Sequence, residues 1–443
     1  MENERLITMN ALMEILEKGG YFHIVMGKVL DKYSYLPAVK RHFIRCVAGG
    51  CVEKRICLDY CIDLYSKTKT EKMKPVIRTI LRMGTYQLLF MDNIPPSAAV
   101  NESVKLARQK GFSQLSGFVN GVLRKIASQK DMIVFPDREK DRTLYLSVKY
   151  SFPEWLARYA DELYGKEKSE SVLEALGGKK RLSIRLSELM DAEKKEKLLS
   201  DMKDKGVILE KADGFDNVYY MENPDDIRSL PGFEEGLFYI QDTGAAAVVA
   251  QADIKASDVI VDVCSAPGGK AIHAAERLEA ARRKAPGEKT GYVIARDLTD
   301  KKTEIIRENV ERCRLENVII QKHDATVFDK ELEGKADILI ADLPCSGLGV
   351  ISKKPDIRYR VLPEDITALQ SLQRKILTAS IPYVKPGGVL IYSTCTITRE
   401  ENEDNRDWIL AGFPFEIISE KRLTPGEEES DGFYILMLKK KGS

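Results

Sequence analysis

DVIVDVCSAPGGK, residues Asp258–Lys270, is the stretch that decides the fold of the C-terminal half of the chain. Its first half is apolar and β-branched, which predicts a short strand buried on both faces. A Pro-Gly-Gly turn ends that strand, and residues 271–283 then have the composition of a helix. A strand–glycine–helix junction lets a ligand approach the bare backbone and meet the amides of a helix N-terminus. We therefore expect a binding site at this turn.

Apolar runs of strand length recur from about Gly236 onward, with helix-length segments between them. These runs are Val259–Cys264, Tyr292–Asp297, Val318–His323, Asp337–Ala341 and Val389–Ser393. Alternation of this kind predicts a doubly wound α/β fold with a parallel sheet. Phe415–Ser419 and Gly432–Lys439 supply two late strands.

Acidic residues follow three successive predicted strands at Asp297, Asp324 and Asp342. Ligands of such sheets bind at the carboxyl ends of the strands, where an acid can accept hydrogen bonds from ribose hydroxyls. A single strand-end Asp is more often a turn former, but three in order beside a glycine turn indicate a nucleoside cofactor. A dinucleotide is disfavoured because GxGxxG is absent and Asp297 comes 35 residues after Asp262.

Two cysteines, 50 residues apart, follow the ends of predicted strands: Cys345 in Asp342-Leu-Pro-Cys-Ser-Gly and Cys395 in Ser393-Thr-Cys-Thr. A thiolate is a nucleophile that can bond to a ligand carbon and later leave again, and a nearby carboxyl group can hold the ligand by hydrogen bonds. These residues suit such chemistry, but alone they leave open which cysteine attacks.

Asp262-Val-Cys-Ser-Ala-Pro-Gly-Gly-Lys270 and the two cysteine motifs, in this order, resemble the RNA cytosine-C5 methyltransferases. The chain is most similar to the RsmB type, also called Sun or Fmu, which modifies small-subunit ribosomal RNA. The resemblance spans nearly the whole chain. The family usually has Ala where this chain has Leu343, a difference that we expect to change packing rather than chemistry.

The resemblance implies a Rossmann-like sheet that binds S-adenosylmethionine, with Asp297 at the ribose, Asp324 near the adenine and Asp342 also at the site. The cofactor turn would comprise Cys264, Ser265, Ala266, Pro267, Gly268, Gly269 and Lys270. Cys395 would be the nucleophile, Cys345 would serve product release, and Asp342 would contact the N3 or amino edge of cytosine. Lys270 could serve the cofactor or orient Asp342. Lys353, Lys354 and Arg358 are candidate RNA contacts, although a solvated charged loop is an equal alternative for each.

Residues 1–130 have helical periodicity and carry 21 Lys/Arg against 11 Asp/Glu. Such a basic region suggests a surface that docks a polyanion, but a solvated surface without a partner is an equal alternative on charge alone. The stretch ILRMGTYQLLFMDNIPPSAAVNESVKLA resembles the NusB-like RNA-binding domain that precedes the catalytic part of RsmB-type enzymes. The candidate phosphate contacts are Arg41, Arg45, Arg78, Arg82, Arg124 and Lys125.

Three domains are expected: an all-α NusB-like bundle over 1–130, a small α+β RNA-binding domain over 145–235, and the methyltransferase domain over 236–443. Residues 131–150 have the composition of a linker, and Ser151 could cap the helix that follows.

The 443 residues contain no apolar run of membrane-spanning length, and the charged N-terminus lacks a signal sequence, so we expect a cytoplasmic protein. Eight cysteines without CxxC and only four histidines predict no metal site. The predicted function is methylation of a cytosine C5 in 16S ribosomal RNA by a monomer. One alternative is a NusB-like RNA-binding or assembly factor with a degenerate enzyme domain. A DNA methyltransferase, which would need one Pro-Cys motif only, is disfavoured by the second cysteine.

Overall fold

The computed structural model describes residues 3–178, 181–222, 226–285, 287, 289–427 and 431–442. The chain divides into two compact units. Unit 1 comprises Met1–Gly178 together with Ile351–Arg360, and unit 2 comprises Lys179–Val350 together with Val361–Ser443. Residues 131–178, which we had divided between a linker and a separate domain, therefore group with the N-terminal helices.

Unit 1 is helical, as predicted for its first 130 residues. Its helices are α1 (Glu4–Leu12), α2 (Phe22–Lys32), α3 (Ala38–Glu53), α4 (Arg55–Tyr65), α5 (Pro75–Phe90), α6 (Pro96–Gln109), α7 (Ser116–Gln129), α8 (Arg142–Tyr150) and α9 (Glu154–Gly177). Helices α1–α7 share one apolar core, to which the i, i+3, i+4 spacing of α5 contributes Ile77, Ile80 and Leu81.

Helix α8 corrects the expectation of a linker over 131–150. Asp141 caps it by accepting a hydrogen bond from the backbone N–H of Leu144. Ser151 ends α8 in a left-handed conformation, with φ 59°, rather than beginning the next helix. Its hydroxyl instead accepts a hydrogen bond from the N–H of Ile56 at 3.0 Å.

Unit 2 begins with a small antiparallel sheet in the order β2-β3-β1-β4. Its elements are β1 (Leu182–Leu186), α10 (Ala192–Asp204), β2 (Ile208–Lys211), β3 (Val218–Glu222) and β4 (Phe238–Ile240). The predicted α+β character of this region is present. A buried ion pair between Arg185 of β1 and Glu276 joins this sheet to the rest of unit 2.

The large sheet has the order β10-β11-β9-β8-β5-β6-β7 in the described residues. Its strands are β5 (Val259–Asp262), β6 (Tyr292–Asp297), β7 (Val318–Lys322), β8 (Ala336–Asp342), β9 (Val384–Thr394), β10 (Phe415–Leu423) and β11 (Phe433–Lys440). Strands β5–β9 pair in parallel, and β11 runs antiparallel to both neighbours. The predicted Rossmann-like sheet is thus confirmed.

The other helices of unit 2 precede or connect the strands of this sheet. They are α11 (Thr243–Ala250), α12 (Gly269–Lys284), α13 (Asp300–Arg312), α15 (Pro363–Ser380) and α16 (Glu403–Gly412). The short helix α14 (Ile357–Arg360) belongs to unit 1. Among the described residues, no helix has both the length and the apolar character that crossing a bilayer requires.

The segment 351–360 is held inside unit 1 by side chains that point into it. The guanidinium of Arg358 lies 4.4 Å from the ring centre of Phe152 and donates to the backbone oxygen of Glu53 at 3.2 Å. Asp356 accepts hydrogen bonds from the N–H of Phe22 and from Arg360. The contacts with Phe152, Glu53 and Phe22 join residues that are more than 200 positions apart in sequence.

Candidate active site

The two motif cysteines meet because their strands are neighbours. Asp342 of β8 lies opposite Ser393 of β9 in the parallel register; Cys345 comes three residues after the end of β8, and Cys395 comes one residue after the end of β9. Parallel strands end at the same edge of a sheet, so both turns begin side by side. The Sγ atoms of Cys345 and Cys395 are 3.3 Å apart, and both side chains are partly exposed.

Gly349 permits the turn after Cys345 to lie against the turn that contains Cys395. Its N–H donates to the backbone oxygen of Cys395 at 3.0 Å, and its own oxygen accepts from the N–H of Gly432. A Cβ at position 349 would lie 1.9 Å from the oxygen of Gly432, closer than any side chain can approach. Only glycine therefore fits at this crossing.

Glu401 joins the two cysteine turns through a buried carboxylate. One oxygen accepts from the N–H of Ser346 at 2.9 Å and from Gln373 at 3.0 Å, and the other accepts from Ser346 Oγ and from Thr398 Oγ1 at 2.7 Å. Ser346 follows Cys345 directly, and Thr398 lies three residues after Cys395. A buried carboxylate with four donors is well satisfied, so Glu401 fixes one cysteine turn against the other.

The two thiols are coupled. The hydrogen bond with Cys395, and burial in second place, raise the pKa of Cys345 well above its usual range. Either sulfur can be the donor in the hydrogen bond that joins them.

Asp342 is clamped between two donors. Lys270 Nζ donates to one carboxylate oxygen at 2.6 Å, and Ser393 Oγ donates to the other at 2.8 Å. Burial opposes the charge on Lys270, but the carboxylate of Asp342 outweighs it and raises the pKa of Lys270. The glycine turn, β8 and β9 thus contribute one residue each to a fixed polar group beside the cysteines.

The predicted cofactor turn lines a cavity of about 150 Å³. Its lining includes Cys264, Ser265, Ala266, Pro267, Gly269, Lys270, Asp262 and Asp342, and also Tyr239, Ile240, Gln241, Asp242 and Ala245 from the end of the small sheet. Gly268 adopts φ 107° to make the turn. A Cβ at Gly269 would lie 3.1 Å from the ring of Tyr239, so the absence of a side chain there keeps the cavity open. Helix α12 begins at this point.

The strand-end acids differ in how they are used. Asp297 is buried, and its carboxylate accepts hydrogen bonds from the N–H groups of Ala266 and Leu298, at 2.9 and 2.8 Å. The same carboxylate pairs with Lys302 at 2.9 Å, and Asp297 thus holds the cofactor turn. Asp262 ends β5, and burial raises its pKa to about 7. Asp324 is exposed and accepts from the N–H and hydroxyl of Thr326, which is the local turn geometry expected of a single acid.

The predicted RNA contacts after Cys345 separate into two kinds. Lys353 and Lys354 are exposed. Arg358 is 0% exposed and packs on Phe152 inside unit 1, and burial lowers its pKa. The geometry corrects the expectation for Arg358, because a guanidinium enclosed in this way does not reach an RNA phosphate.

The candidate phosphate contacts of the helical bundle also include both paired and exposed residues. Arg82 is buried and binds Asp59 through two hydrogen bonds of 2.7 and 2.6 Å, and Arg78 pairs with Glu17. Arg124 and Lys125 are exposed and line an open hollow with Pro96 and Ser97 at the start of α6. Of these, the exposed pair has the geometry of an anion-contacting surface.

Glu401 and Gln241 were missed by sequence reasoning. The spacing Thr398-Arg-Glu-Glu401 before a helix is a recognisable T-x-x-E pattern that could have drawn attention to Glu401. Nothing local marks Gln241, because it reaches the cavity only through the pairing of β4 with β1.

Comparison with known families gives two matches. A family profile described as 16S rRNA methyltransferase RsmB/F matches residues 249–439, and the NusB family profile matches residues 2–128. The chain is 31% identical to the "Probable ribosomal RNA small subunit methyltransferase B" of Bacillus subtilis, with 99% of each chain covered.

Two solved structures have the same fold. One, described as "Crystal Structure of PH0851", aligns with a TM-score of 0.81 at 22% identity and covers 99% of both chains. The other, NSun6 from Pyrococcus horikoshii with SFG, aligns with a TM-score of 0.58 at 21% identity and covers 66% of this chain and 100% of that one.

Proposed function

The chain belongs to the RsmB/F family of 16S rRNA methyltransferases, and from this premise we propose that it methylates C5 of a cytosine in small-subunit ribosomal RNA through a covalent bond to Cys395. S-adenosylmethionine is the proposed methyl donor. The observation that carries the proposal is the pair of thiols 3.3 Å apart beside Asp342 at the carboxyl edge of the sheet.

The residues present fit this cofactor. The glycine turn leaves backbone exposed at the start of α12, Asp297 holds that turn through the N–H of Ala266, and the lining contains the buried, unpartnered amide nitrogen of Gln241. When bound, S-adenosylmethionine supplies an electrophilic methyl group on a sulfonium. The SFG of the NSun6 structure is an analogue of this molecule, which supports the same choice.

Cys395 supplies the nucleophile. Its thiolate, 3.3 Å from the sulfur of Cys345, adds to C6 of the cytosine, and the electrons of the C5–C6 bond become available at C5. Asp342 holds the N3 or amino edge of the base during this addition, and Lys270 and Ser393 prevent the carboxylate from rotating. The rigid clamp keeps C6 aligned with the sulfur.

Cys345 serves product release. Once Cys395 has bonded to carbon, Cys345 loses its thiol proton to solvent, and the resulting thiolate accepts the proton from methylated C5. The electron pair of that C–H bond restores the C5–C6 double bond, and the C6–S bond breaks to release the thiolate of Cys395. The cycle then returns to its starting charges.

The proposed substrate is ribosomal RNA, in agreement with the name of the Bacillus subtilis relative. Arg124 and Lys125 of unit 1, and Lys353 and Lys354 after the Cys345 turn, are the proposed phosphate contacts. The target base must swing out of its stack to reach a cysteine set in a turn. A monomer in the cytoplasm, where ribosomal RNA is modified in bacteria, is part of the proposal.

An assembly factor with a degenerate enzyme domain is the competing function. An assembly factor would not require a second thiol, the close fit at Gly349 or the four hydrogen-bond donors around Glu401. The intact geometry of these features favours an enzyme.

Three variants test the proposal: Cys395→Ala, Cys345→Ala and, as a matched loss of a thiol in the helical bundle, Cys46→Ala. Each is incubated with methyl-labelled S-adenosylmethionine and small-subunit ribosomal RNA. Cys395→Ala should form neither 5-methylcytosine nor an adduct, with a rate loss on the order of 10⁴-fold or more. Cys345→Ala should accumulate a protein–RNA adduct that survives denaturation. Cys46→Ala should behave as wild type.

The roles of the cysteines are reversed if Cys395→Ala traps the adduct. Methylation that persists in both variants at the wild-type rate excludes covalent catalysis by this pair. A wild-type protein that binds ribosomal RNA but never transfers the label supports the assembly factor.

A further inference from the structure

One buried amide group at the cofactor turn has a donor without a partner. Gln241 is 5% exposed, it follows β4, and its Nε2 makes no hydrogen bond to the described residues. A buried amide N–H₂ without a hydrogen-bond partner is energetically unfavourable. Such a group in a cavity wall indicates a ligand that completes its hydrogen bonding.

The orientation of this amide is set by Arg185. The guanidinium Nε of Arg185 donates to Gln241 Oε1 at 2.7 Å, and the same guanidinium forms a buried ion pair with Glu276. An arginine only donates, so the oxygen of the amide must face it and the N–H₂ must face away. The guanidinium of Arg185 therefore fixes the direction in which the N–H₂ of Gln241 points.

The N–H₂ faces the glycine turn. An added Cβ on Gly269 would lie 3.6 Å from Gln241 Nε2, and both residues line the same cavity. Helix α12, sixteen residues long, starts at Gly269, and its first amides carry the positive end of the helix dipole. A donor side chain and a helix N-terminus together favour an anionic acceptor.

We propose that Gln241 donates a hydrogen bond to the carboxylate in the methionine part of S-adenosylmethionine. This inference rests on the proposed function. The carboxylate is the only anionic group of that molecule, and the carboxylates of Asp242 and Asp262 in the same lining suit its ammonium group. Gln241 is thus a cofactor-selecting residue contributed by the small sheet.

The test compares two ligands that differ in this one group: S-adenosylmethionine and its decarboxylated form. Binding is measured by calorimetry without RNA, so that no turnover occurs. Gln241→Glu keeps an oxygen for Arg185 but replaces the donor with a second, negative oxygen. We expect this variant to bind S-adenosylmethionine at least tenfold more weakly than wild type, since hydrogen bonds to charged groups contribute about 1.5–3 kcal/mol. Binding of the decarboxylated ligand should change less than threefold.

Gln241→Leu removes the amide altogether and provides a second arm if Gln241→Glu does not fold; it should show the same selective loss. Tyr239→Phe is the matched control. It removes the hydroxyl that donates to the oxygen of Pro267 in the same turn, and it should affect both ligands equally.

Equal losses for both ligands in the Gln241 variants, or a wild-type protein that does not distinguish the two ligands, overturn the inference while leaving the proposed cofactor in place. A wild-type protein that binds neither ligand overturns the proposed function together with it.

Discussion

The cysteine edge of unit 2 and the helical bundle of unit 1 use polar residues in opposite ways. At the cysteine edge, Lys270 and Ser393 fix the carboxylate of Asp342, and Asp342 and Lys270 border a cavity. In the bundle, Arg82 is buried and paired with Asp59, whereas Arg124 and Lys125 lie at the surface. Adjacent strand ends therefore bring their polar side chains together, whereas the position of a charge on a helix does not reveal its direction.

The sharpest contrast within the bundle is that between Arg82 and Arg124. Arg82→Met leaves Asp59 and Glu17 without their buried partner, and we expect a loss of about 3 kcal/mol in the free energy of unfolding of unit 1. Arg124→Met, at an exposed position, should change it by less than about 0.5 kcal/mol.

Urea unfolding measures this difference in a Trp408→Phe background, where Trp155 of α9 is the remaining tryptophan and reports on unit 1. Equal losses of unfolding free energy in the two variants would contradict the distinction between the buried Arg82 and the exposed Arg124.

At the cysteine edge, Glu401→Gln should lower kcat about 100-fold, because one of the two oxygens that receive donors becomes an N–H₂ that opposes them. The KM for S-adenosylmethionine should stay within twofold, since the cofactor turn is held separately by Asp297. Glu401→Asp should recover part of kcat. Steady-state kinetics on both substrates separate these effects.

Glu416→Gln, an exposed carboxylate on β10, is the matched control and should match wild type. A parallel rise in KM for S-adenosylmethionine in Glu401→Gln would mean that Glu401 supports the whole edge rather than the cysteine turns.

The smallest expected effect belongs to the exposed basic pair. Arg124→Ala combined with Lys125→Ala should weaken RNA binding several-fold and lower the slope of log K against log salt by about 1.4–1.8, the value for two phosphate contacts. Filter binding at four salt concentrations provides the slope. An unchanged slope would exclude this surface from docking.

The strand-end motifs made the cysteine edge predictable. Cys345 follows Asp342 by three residues and Cys395 follows Ser393 by two, and parallel strands end at the same edge of a sheet, so local sequence and this rule suffice to bring the two cysteines together. The linker expected before Ser151 was wrong because its polar composition concealed helix α8, which Asp141 caps.

Arg358 could not be interpreted from its own neighbourhood. Its loop is basic and polar, which indicates solvent exposure, but its partners Phe152 and Glu53 lie two hundred to three hundred residues earlier. Gln241 is similar, since its orientation depends on Arg185 across a strand pair. Long-range contacts of this kind cannot be predicted from the ten residues that surround a position.

The return of residues 351–360 to unit 1 has a consequence for biosynthesis. The ribosome completes residue 178 long before residue 360, a difference of 182 positions, and at 5–20 residues per second this takes roughly 10–40 s. During that interval the nascent bundle lacks the segment that fills the space around Phe152 and Glu53. The contacts of Arg358 with Phe152 and Glu53 can therefore form only after the catalytic half of the chain has been translated past residue 358, whereas the apolar core of α1–α7 is already complete by residue 129.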